Sequence, residues 1–390
     1  MYGGDNMKIN KAYRFRLYPT NEQILLINKT FGCTRLVYNY YLNRKQELYK
    51  SEKKNLSSYD CIKDLKNLYV QYPFLKEVDS VSLRCVLFDL DNSYQKFFKE
   101  KKGYPKYKSK FDKNSYRTNF ITNVYKNKIY ENIKLDLINK TIILPKLKEV
   151  KIRGYRNLKN IQGRIINATI SKEKDNKYYV SVVFDQEVEE NKIIPNKIIG
   201  LDLGIKDLVI TSDGKKYDNN KAILKYEKRI KRIQRKLSKK TKGSNNYYKI
   251  KQKLARLYSK IKNTKKYTIH KITKEIIDNN DIIVTETLRI NNMLKNHYIA
   301  KSLQDASLSE IIRQLIYKAK WKMKSIYQID AFYPSSQICS HCDYKNEITK
   351  NLNIREYECP NCHIKLDRDI NASENIMFEG LKLYMKELLS

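Results

Sequence analysis

The sequence has no run of about 18 consecutive apolar residues, the length that a membrane-spanning helix needs. The N-terminal region also lacks the short apolar core of a secretory signal peptide. These two absences predict a protein with neither a membrane span nor a leader peptide, and therefore with no membrane partner.

Cysteine is scarce as well. Seven cysteines in 390 residues are too few for a disulfide scaffold, which favours a reducing, cytoplasmic compartment. Cys33, Cys61 and Cys85 fall in segments predicted to be helical, where we expect buried thiols. The other four lie close together between residues 339 and 362.

Acidic residues are outnumbered: 42 Asp and Glu stand against 79 Lys and Arg, which gives a formal net charge of +37. The basic residues run along the whole chain and do not form a single tail. A polyanionic partner, most simply nucleic acid, accounts for this distribution. The 32 tyrosines and 11 phenylalanines add rings on which unpaired bases can stack, although we expect most of them in the core.

The N-terminal half alternates between strand and helix patterns. Residues 11–17 alternate apolar and polar side chains, which predicts a strand after a disordered lead-in. Thr20 and Gln23 then form the capping box of a helical region that runs to about Asn67, and a further helix follows. Strand patterns resume over 115–184. We expect one small β-barrel that the first strand completes and the helices interrupt.

The stretch Lys197–Gly204, KIIGLDLG, reads as a short buried strand that ends at a glycine. Asp202 is anomalous there, because aspartate is depleted in strands and a carboxylate between buried leucines is costly unless it is paired. A metal ion shared with other carboxylates is one partner, and capping of the next turn is the alternative. Asp281–Glu286, DIIVTE, is a second buried strand that ends in an acid.

Two lysine-rich helices lie between these strands, within residues 220–278. Apolar residues recur at heptad spacing in both helices and predict an antiparallel hairpin. These residues are Ile223, Tyr226, Ile230, Ile233 and Leu237 in the first helix, and Ile250, Leu254, Leu257 and Ile261 in the second. We expect the basic outer face to contact phosphates, with a merely solvated face as the alternative.

The four clustered cysteines form two CxxC pairs with sixteen residues between them: Cys339, Cys342, Cys359 and Cys362. This spacing is that of a tetrahedral zinc site, in which each pair binds the metal from a tight turn. His341 and His363 adjoin the cysteines but are not needed as ligands.

Directly after the second pair, residues 367–372, DRDINA, predict the start of a helix. Acids at a helix N-terminus often only cap it. Here they would supply a third carboxylate to the two that end the buried strands. Three converging carboxylates repel one another unless divalent cations hold them. Two Mg(II) ions about 3.5–4 Å apart can activate a water and stabilise the leaving oxygen of a phosphodiester.

Six segments together resemble the TnpB family, also called OrfB. Members of this family are RNA-guided DNA endonucleases that are encoded by insertion sequences and related to type V CRISPR effectors. The segments are KAYRFRLYP (11–19), TFGCTRLVYN (30–39), GYPKYK (103–108), GLDLGIK (200–206), PSSQICSHC (334–342) and DRDINA (367–372). The resemblance covers almost the whole chain.

The resemblance implies that Asp202, Glu286 and Asp369 are the catalytic acids of a RuvC-type, RNase H-like nuclease domain and bind two Mg(II) ions. It also implies that the four clustered cysteines bind one structural zinc ion. Asp367 is then expected to lie outside the metal site, and Asn371 to orient Asp369.

The fold that the resemblance implies is α/β and multi-domain. Its predicted parts are, in chain order, the first part of a wedge-like β-barrel (1–19), a helical recognition domain (20–114), the second part of the barrel (115–190), the nuclease domain with its basic hairpin at 220–278 (191–332), the zinc insertion (333–366) and the end of the nuclease domain (367–390).

The implied partners are a guide RNA from the transposon end and a double-stranded target DNA. The protein would read a short adjacent motif while base pairing reads the rest. The candidate motif readers are Tyr59, Ser80, Arg84, Thr122 and Asn123. We expect a monomer that acts at the nucleoid in a prokaryotic cytoplasm. As departures from the family, Asp343 and His363 stand where glycine is frequent, and neither is a ligand.

Three other interpretations compete. A nuclease-dead, RNA-guided DNA-binding repressor of the same family would lose catalytic acids, whereas this sequence retains all three. A protein-only transposase also uses three acids on an RNase H-like fold, but the four-cysteine insertion and the N-terminal match argue against it. A generic RNA-binding structural protein explains the charge but not the three acids.

Overall fold

The computed structural model describes residues 6–125, 128–154, 161–189, 195–350 and 354–389. The chain forms two compact units, of which one comprises Asn6–Val188 and the other the chain from Glu189 onward. None of the described helices is long and apolar enough to cross a membrane.

The N-terminal unit contains three long helices and an extensive sheet. Its elements are, in chain order, β1 (Asn6–Tyr18), α1 (Asn21–Glu52), α2 (Ser58–Gln71), α3 (Ser80–Glu100), β2 (Asn114–Asn119), β3 (Thr122–Tyr125), β4 (Lys128–Glu131), β5 (Lys134–Asp136), β6 (Thr141–Leu144), β7 (Lys148–Arg153), β8 (Arg164–Lys172) and β9 (Tyr178–Glu189). The first strand begins at Asn6, so the predicted lead-in was too long.

The first predicted helical region is two helices, so that prediction was wrong in its extent. The predicted Thr20–Gln23 capping box is confirmed at the start of α1. The helix ends where Lys53 adopts a left-handed conformation with φ 55°. Ser57 and Asp60 then form a second capping box that begins α2. The Ser-x-x-Asp pattern was therefore the missed signal in the sequence.

Strand β1 lies inside the large sheet of this unit, whose order is β2-β8-β9-β1-β7-β6-β5. It pairs antiparallel with β7 from Arg16 opposite Arg153 to Tyr18 opposite Lys151. Phe15 and Leu17 are buried in the core of this sheet. The first strand therefore joins strands that follow the helices, as the sequence predicted, while closure of the sheet into a barrel stays a prediction.

The C-terminal unit combines a mixed sheet with helices of very different lengths. Its elements are β10 (Ile198–Asp202), β11 (Asp207–Thr211), β12 (Lys216–Asp218), α4 (Ala222–Ser238), α5 (Asn245–Asn279), β13 (Ile282–Glu286), α6 (Ile290–Met293), α7 (His297–Ala306), α8 (Leu308–Trp321), β14 (Ser325–Ile329), β15 (Glu356–Glu358), β16 (Lys365–Asp367) and α9 (Arg368–Leu388).

The main sheet of this unit has the order β12-β11-β10-β13-β14. Strands β10, β13 and β14 are parallel, and β11 is antiparallel to β10. Both predicted buried strands are confirmed: Ile199 and Leu201 in β10, and Ile283 and Val284 in β13, are nearly inaccessible to solvent. Parallel strands end on the same side of a sheet, so the acids at their ends meet there.

Candidate active site and cysteine cluster

Asp202 and Glu286 stand next to each other because of the register between β10 and β13. The parallel pairing runs from Ile198 opposite Ile282 to Leu201 opposite Thr285. One step further brings Asp202 opposite Glu286, at the last residue of each strand. Two carboxylates that are 84 positions apart in sequence are thus neighbours at one sheet edge.

Asp369 reaches the same region in the first turn of α9. The helix packs closely on β10, because a methyl group at Gly200 would overlap the carbonyl oxygen of Ser373. Asp367 is the N-cap residue: one of its carboxylate oxygens accepts hydrogen bonds from the amides of Asp369 (3.1 Å) and Ile370 (3.2 Å). The side chain of Asp367 is therefore engaged in starting the helix.

The electrostatics of Asp202 and Glu286 differ from those of surface carboxylates. Burial and the nearby Glu286 raise the pKa of Asp202 well above its usual value, and Asp369 adds to this effect while Arg368 opposes it. Burial also raises the pKa of Glu286, although Asp202 and the Leu203 amide hydrogen-bond to its carboxylate. Adjacent anions in a dehydrated site are costly. Carboxylate oxygens are the ligands that Mg(II) prefers, so these residues fit a divalent cation.

The ligand atoms of the three acids lie farther apart than those of the cysteine cluster. In the described part of the chain, the four cysteines form the one set of His, Cys, Asp or Glu side chains whose ligand atoms all lie within 4.8 Å of one another. Arg355 Nη1 lies 3.7 Å from Asp369 Oδ2.

A cavity of about 580 Å³ opens beside these acids. Asp202 and Asp369 contribute to its wall, together with four basic residues: Lys206, Lys221, Lys301 and Arg355. None of these four residues was predicted from the sequence. Among 79 lysines and arginines, no single position gave a signal, and only the fold brings these four to the acids.

The cysteine cluster has the dimensions of a zinc site. The sulfur atoms of Cys339 and Cys362 are 3.7 Å apart, and those of Cys342 and Cys359 are 3.5 Å apart. A tetrahedron with Zn–S bonds of about 2.3 Å has edges of about 3.8 Å. Hydrogen bonds from the Asn361 side chain and the Tyr344 amide lower the pKa of Cys342 to about 6. The predicted convergence of the four cysteines is confirmed, and the geometry fits a tetrahedral metal.

Both cysteine pairs lie on similar tight turns. In the first turn, the amide of Asp343 donates to the carbonyl of Cys339 at 2.9 Å. In the second, the amide of His363 donates to the carbonyl of Cys359 at 2.9 Å. Asp343 (φ 58°) and His363 (φ 56°) are left-handed. Glycine adopts this conformation most easily, so the two departures noted in the sequence fall at positions where the backbone favours glycine.

Asn371 does not hydrogen-bond to Asp369, contrary to our expectation, but to the first cysteine turn. Its side chain accepts a hydrogen bond from the amide of Ser340 (2.9 Å) and donates one to the carbonyl of Ile338 (2.7 Å). One turn later, Asn375 donates to the carbonyls of Ser335 (2.8 Å) and Ile338 (2.6 Å). The cysteine cluster and α9 are thus joined through two buried side-chain amides, and this pair was not predicted from the sequence.

Helices α4 and α5 form the predicted hairpin, with Ile230, Leu257 and Ile261 buried between them. The N-terminus of α4 lacks a cap from its own N-cap residue. The buried Asp305, from α7, instead accepts a hydrogen bond from the amide of Ile223 (3.1 Å). The exposed face of α4 presents a groove lined by six basic residues: Lys228, Lys231, Arg232, Arg235, Lys236 and Lys239.

The sequence pattern of residues 305–324 predicts one continuous helix, but the structure divides this segment at Ser307, so that prediction was wrong. Ser307 is left-handed with φ 57°, which ends α7 and separates it from α8. The break lets Asp305 cap α4 from the end of a separate helix.

The candidate motif readers lie on three elements of the N-terminal unit, and all are exposed. Tyr59 is on α2, with its ring 5.7 Å from that of Phe88 on α3. Ser80 is the first residue of α3 and Arg84 lies one turn later. The remaining two, Thr122 and Asn123, begin strand β3.

Comparison with known proteins identifies the family. A family model described as "Probable transposase" matches residues 181–297, one described as "Helix-turn-helix domain" matches 7–54, and one described as "Cas12f1-like, TNB domain" matches 309–376. In the structure, residues 7–54 form strand β1 and the single long helix α1.

A protein of Streptomyces pristinaespiralis named "Putative RNA-guided DNA endonuclease" is 30% identical over 96% of this chain and 90% of its own length. The protein of Escherichia coli (strain K12) named "Putative RNA-guided DNA endonuclease InsQ" is 29% identical over 96% and 93%. A solved Cas12f1–sgRNA–target DNA complex matches 95% of this chain and 99% of its own at 16% identity, with a TM-score of 0.36. On the identity and coverage of the two named relatives, this chain belongs to the TnpB (OrfB) family, as its sequence motifs predicted.

Proposed function

We propose that this protein is an RNA-guided endonuclease of an insertion sequence that cuts double-stranded DNA with the help of Mg(II). The observation that carries the proposal is the meeting of Asp202, Glu286 and Asp369 at one edge of the main sheet. The names of the two relatives, which cover nearly the whole chain, support the choice of substrate and guide.

The three acids would hold the metal ions. Two bound Mg(II) ions supply an activated water and stabilise the leaving oxygen of the phosphodiester. The chain itself fixes the spacing of the ligands, because β10, β13 and α9 are packed elements of one core. The basic residues of the adjoining cavity, Lys206, Lys221, Lys301 and Arg355, would bind the phosphates that flank the scissile bond.

The sheet pattern supports an RNase H-like, RuvC-type domain. Three parallel strands carry one antiparallel strand at β11 and a short edge strand at β12, with α9 packed across β10. We further propose the domain boundaries given by the sequence, with the N-terminal sheet as the wedge-like barrel and α1–α3 as the recognition domain. The four cysteines would bind one structural zinc ion in an insertion between β14 and α9.

The partners under this proposal are a guide RNA derived from the transposon end and a target duplex with a short adjacent motif. The net charge of +37 supports contact with two polyanions. Tyr59, Ser80, Arg84, Thr122 and Asn123 would read the motif while base pairing reads the rest. Their exposure leaves them free to contact DNA.

The test is cleavage of a plasmid by the protein loaded with the RNA that co-purifies with it. Asp202→Ala, Glu286→Ala and Asp369→Ala should each abolish cleavage and leave RNA binding and DNA binding largely intact. Chelation of Mg(II) should abolish cleavage as well. Any of the three variants retaining wild-type cleavage would remove that acid from the site.

RNA dependence separates this function from a second candidate. The family model over 181–297 is described as "Probable transposase", and a protein-only transposase would cut without RNA. Cleavage at the same site by protein stripped of RNA would favour that function. A repressor that only binds DNA is disfavoured because all three acids are present, and metal-dependent cutting would exclude it.

A further inference from the structure

Residues 96–111, KFFKEKKGYPKYKSKF, mix aromatic and basic side chains at the end of α3 and in the loop after it. This aromatic-lysine loop has seven lysines and five aromatic residues, and its one acid, Glu100, is paired with Lys102. All seven lysines are exposed. The segment therefore presents a strongly positive surface that neither the acids nor the cysteine cluster uses.

The aromatic rings of the loop are grouped and open to solvent. Phe97 contacts Phe98 and Tyr104 with ring centroids 5.1 and 5.2 Å apart, and Tyr94 joins them from the previous turn of α3. Even so, Phe98 is 72% exposed, Tyr104 44% and, further along, Phe111 78%. Most of these contacts are edge to face, and the rings of Tyr94 and Phe98 are nearly parallel with centroids 6.4 Å apart, but the exposure of Phe98 and Tyr104 leaves ring surface open to another planar group.

The loop is held in place although its residues 101–109 form no helix or strand. The side chain of Asn39 on α1 accepts a hydrogen bond from the amide of Lys108 (2.8 Å) and donates one to its carbonyl (2.9 Å). The hydroxyl of Tyr107 donates to Asn43 (3.0 Å) or Gln46 (3.1 Å). A fixed loop loses little conformational entropy on binding, so its rings are preorganised for a ligand.

Charge and ring exposure together select one kind of partner. The lysines would attract a polyanion, and the exposed rings offer surfaces on which flat groups can stack. Bases in a duplex are already stacked and paired, so they are not available to the rings. Loops and unpaired ends of a folded RNA offer both phosphates and free bases.

We propose that the aromatic-lysine loop binds an unpaired stretch of RNA, with bases stacked on Phe98, Tyr104 and Phe111 and phosphates contacted by the flanking lysines. The choice of RNA rests on the proposed RNA-guided function, in which the guide RNA stays bound to the protein. The proposal adds a defined contact surface within the N-terminal unit to that function.

Photo-crosslinking locates the contact directly. The full-length protein is irradiated with a single-stranded 20-nucleotide RNA that carries 4-thiouridine, and adducts are mapped by mass spectrometry. We expect adducts on the rings of residues 98–111, and far fewer with the same RNA annealed to its complement. Absence of adducts in this segment, or equal yields with the duplex, would overturn the proposal.

Affinity measurements on the same RNA separate stacking from charge. Phe98→Ala and Tyr104→Ala should each weaken binding about 5-fold or more, whereas Tyr104→Phe, which keeps the ring, should bind like the wild type. Tyr49→Ala is the matched control, because Tyr49 is also exposed and lies beside Lys53, but outside the loop. Equal affinity of wild type and Phe98→Ala/Tyr104→Ala would contradict the proposal.

Replacing lysines of the loop should change the salt dependence of RNA binding, which the ring variants should not. Lys101→Gln/Lys106→Gln should flatten the log–log salt dependence of binding by about 0.7 for each phosphate that the variant no longer neutralises, while the ring variants should leave the slope unchanged. Vesicles of anionic phosphatidylglycerol test a lipid surface as the alternative partner. If Phe98→Ala/Tyr104→Ala loses vesicle binding but keeps its RNA affinity, the surface binds lipid and not RNA.

This proposal and the proposed function can fail separately. If the protein cleaves DNA in an RNA-dependent manner but gives no crosslink in residues 98–111, only the RNA-binding surface is refuted. If the three acids prove unnecessary for cleavage, the crosslink is still expected.

Discussion

The buried side chain of Asn371, two residues after Asp369 in α9, accepts a hydrogen bond from the backbone amide of Ser340 at 2.9 Å. Its amide group also donates to the carbonyl of Ile338, so the two bonds bracket Cys339. The helix that carries the third acid and the turn that carries the first cysteine are thus held together by one side chain. A structural change in the cysteine cluster should therefore displace Asp369.

Asn371→Ala tests this coupling. It leaves the partly buried amide of Ser340 without this partner, which costs roughly 1–3 kcal/mol, while the carbonyl of Ile338 keeps its hydrogen bond from Asn375. We expect the variant to need more Mg(II) for half-maximal cleavage and to lose zinc faster to a chelator, with RNA affinity unchanged. Glu379→Ala is the control on the same helix, because it removes only a surface pair with Lys382. An unaltered Mg(II) requirement would show that the coupling does not reach the acids.

His363→Gly should strengthen the cysteine cluster. His363 has φ 56°, and the left-handed conformation costs an ordinary residue roughly 1–2 kcal/mol, part of which the flexibility of glycine offsets. We expect slower loss of zinc to a competing chelator and a higher unfolding temperature of the C-terminal unit. The same change at His341, which is not among the left-handed residues of the described chain, should give no gain. A gain of equal size at both positions would argue against backbone strain as the cause.

Gly200→Ala should disturb the packing of α9 against β10. The new methyl group would overlap the Ser373 carbonyl oxygen, so helix and strand must separate, at a cost of about 1–3 kcal/mol. We expect a lower unfolding temperature and reduced cleavage, because Asp369 moves with the helix. Gly32→Ala in α1 is the matched control. Apart from the backbone of its own helix and its chain neighbours, no atom lies within 4 Å of the new methyl group there, and alanine in a helix is favoured by about 0.5–1 kcal/mol. Similar losses at both positions would contradict the steric argument.

The strands that carry the acids could be predicted from local pattern alone, because buried strands with a terminal acid are unusual in sequence. The CxxC spacing predicted the cysteine cluster for the same reason. The positions of Lys301 and Arg355 could not be predicted, since they depend on how α7 and the residues at the start of β15 pack around the acids. The breaks at Lys53 and Ser307 were missed because neither residue is a glycine, although both are left-handed.

Asp367 and Asp369 should differ sharply on substitution, although they are two residues apart. Asp367→Asn keeps a side-chain oxygen that can cap α9 and should cleave nearly as well as the wild type. Asp367→Ala loses the cap and the 2.5 Å ion pair with Lys216, so it should be less stable by about 0.5–2 kcal/mol yet retain substantial activity. Asp369→Asn should be inactive at wild-type stability. An inactive Asp367→Asn beside an active Asp369→Asn would reverse the assignment of the third acid.

The basic groove on α4 should determine part of the salt dependence of nucleic-acid binding. Each phosphate that a lysine or arginine neutralises releases counterions and adds about 0.7–0.9 to the slope of log affinity against log salt. Replacing Lys228, Arg232 and Arg235 with glutamine should therefore lower that slope by about 2 if all three contact phosphates.

Lys274→Gln is the control for charge alone. Lys274 is exposed on α5, but it is paired with Asp278 four residues later, so its removal should change the slope little. The two outcomes distinguish a phosphate-binding face from a merely solvated one, because solvated lysines contribute to net charge but release no counterions on binding. An unchanged slope in the α4 variant would show that the groove stays in solvent and that the polyanion lies along other parts of the chain.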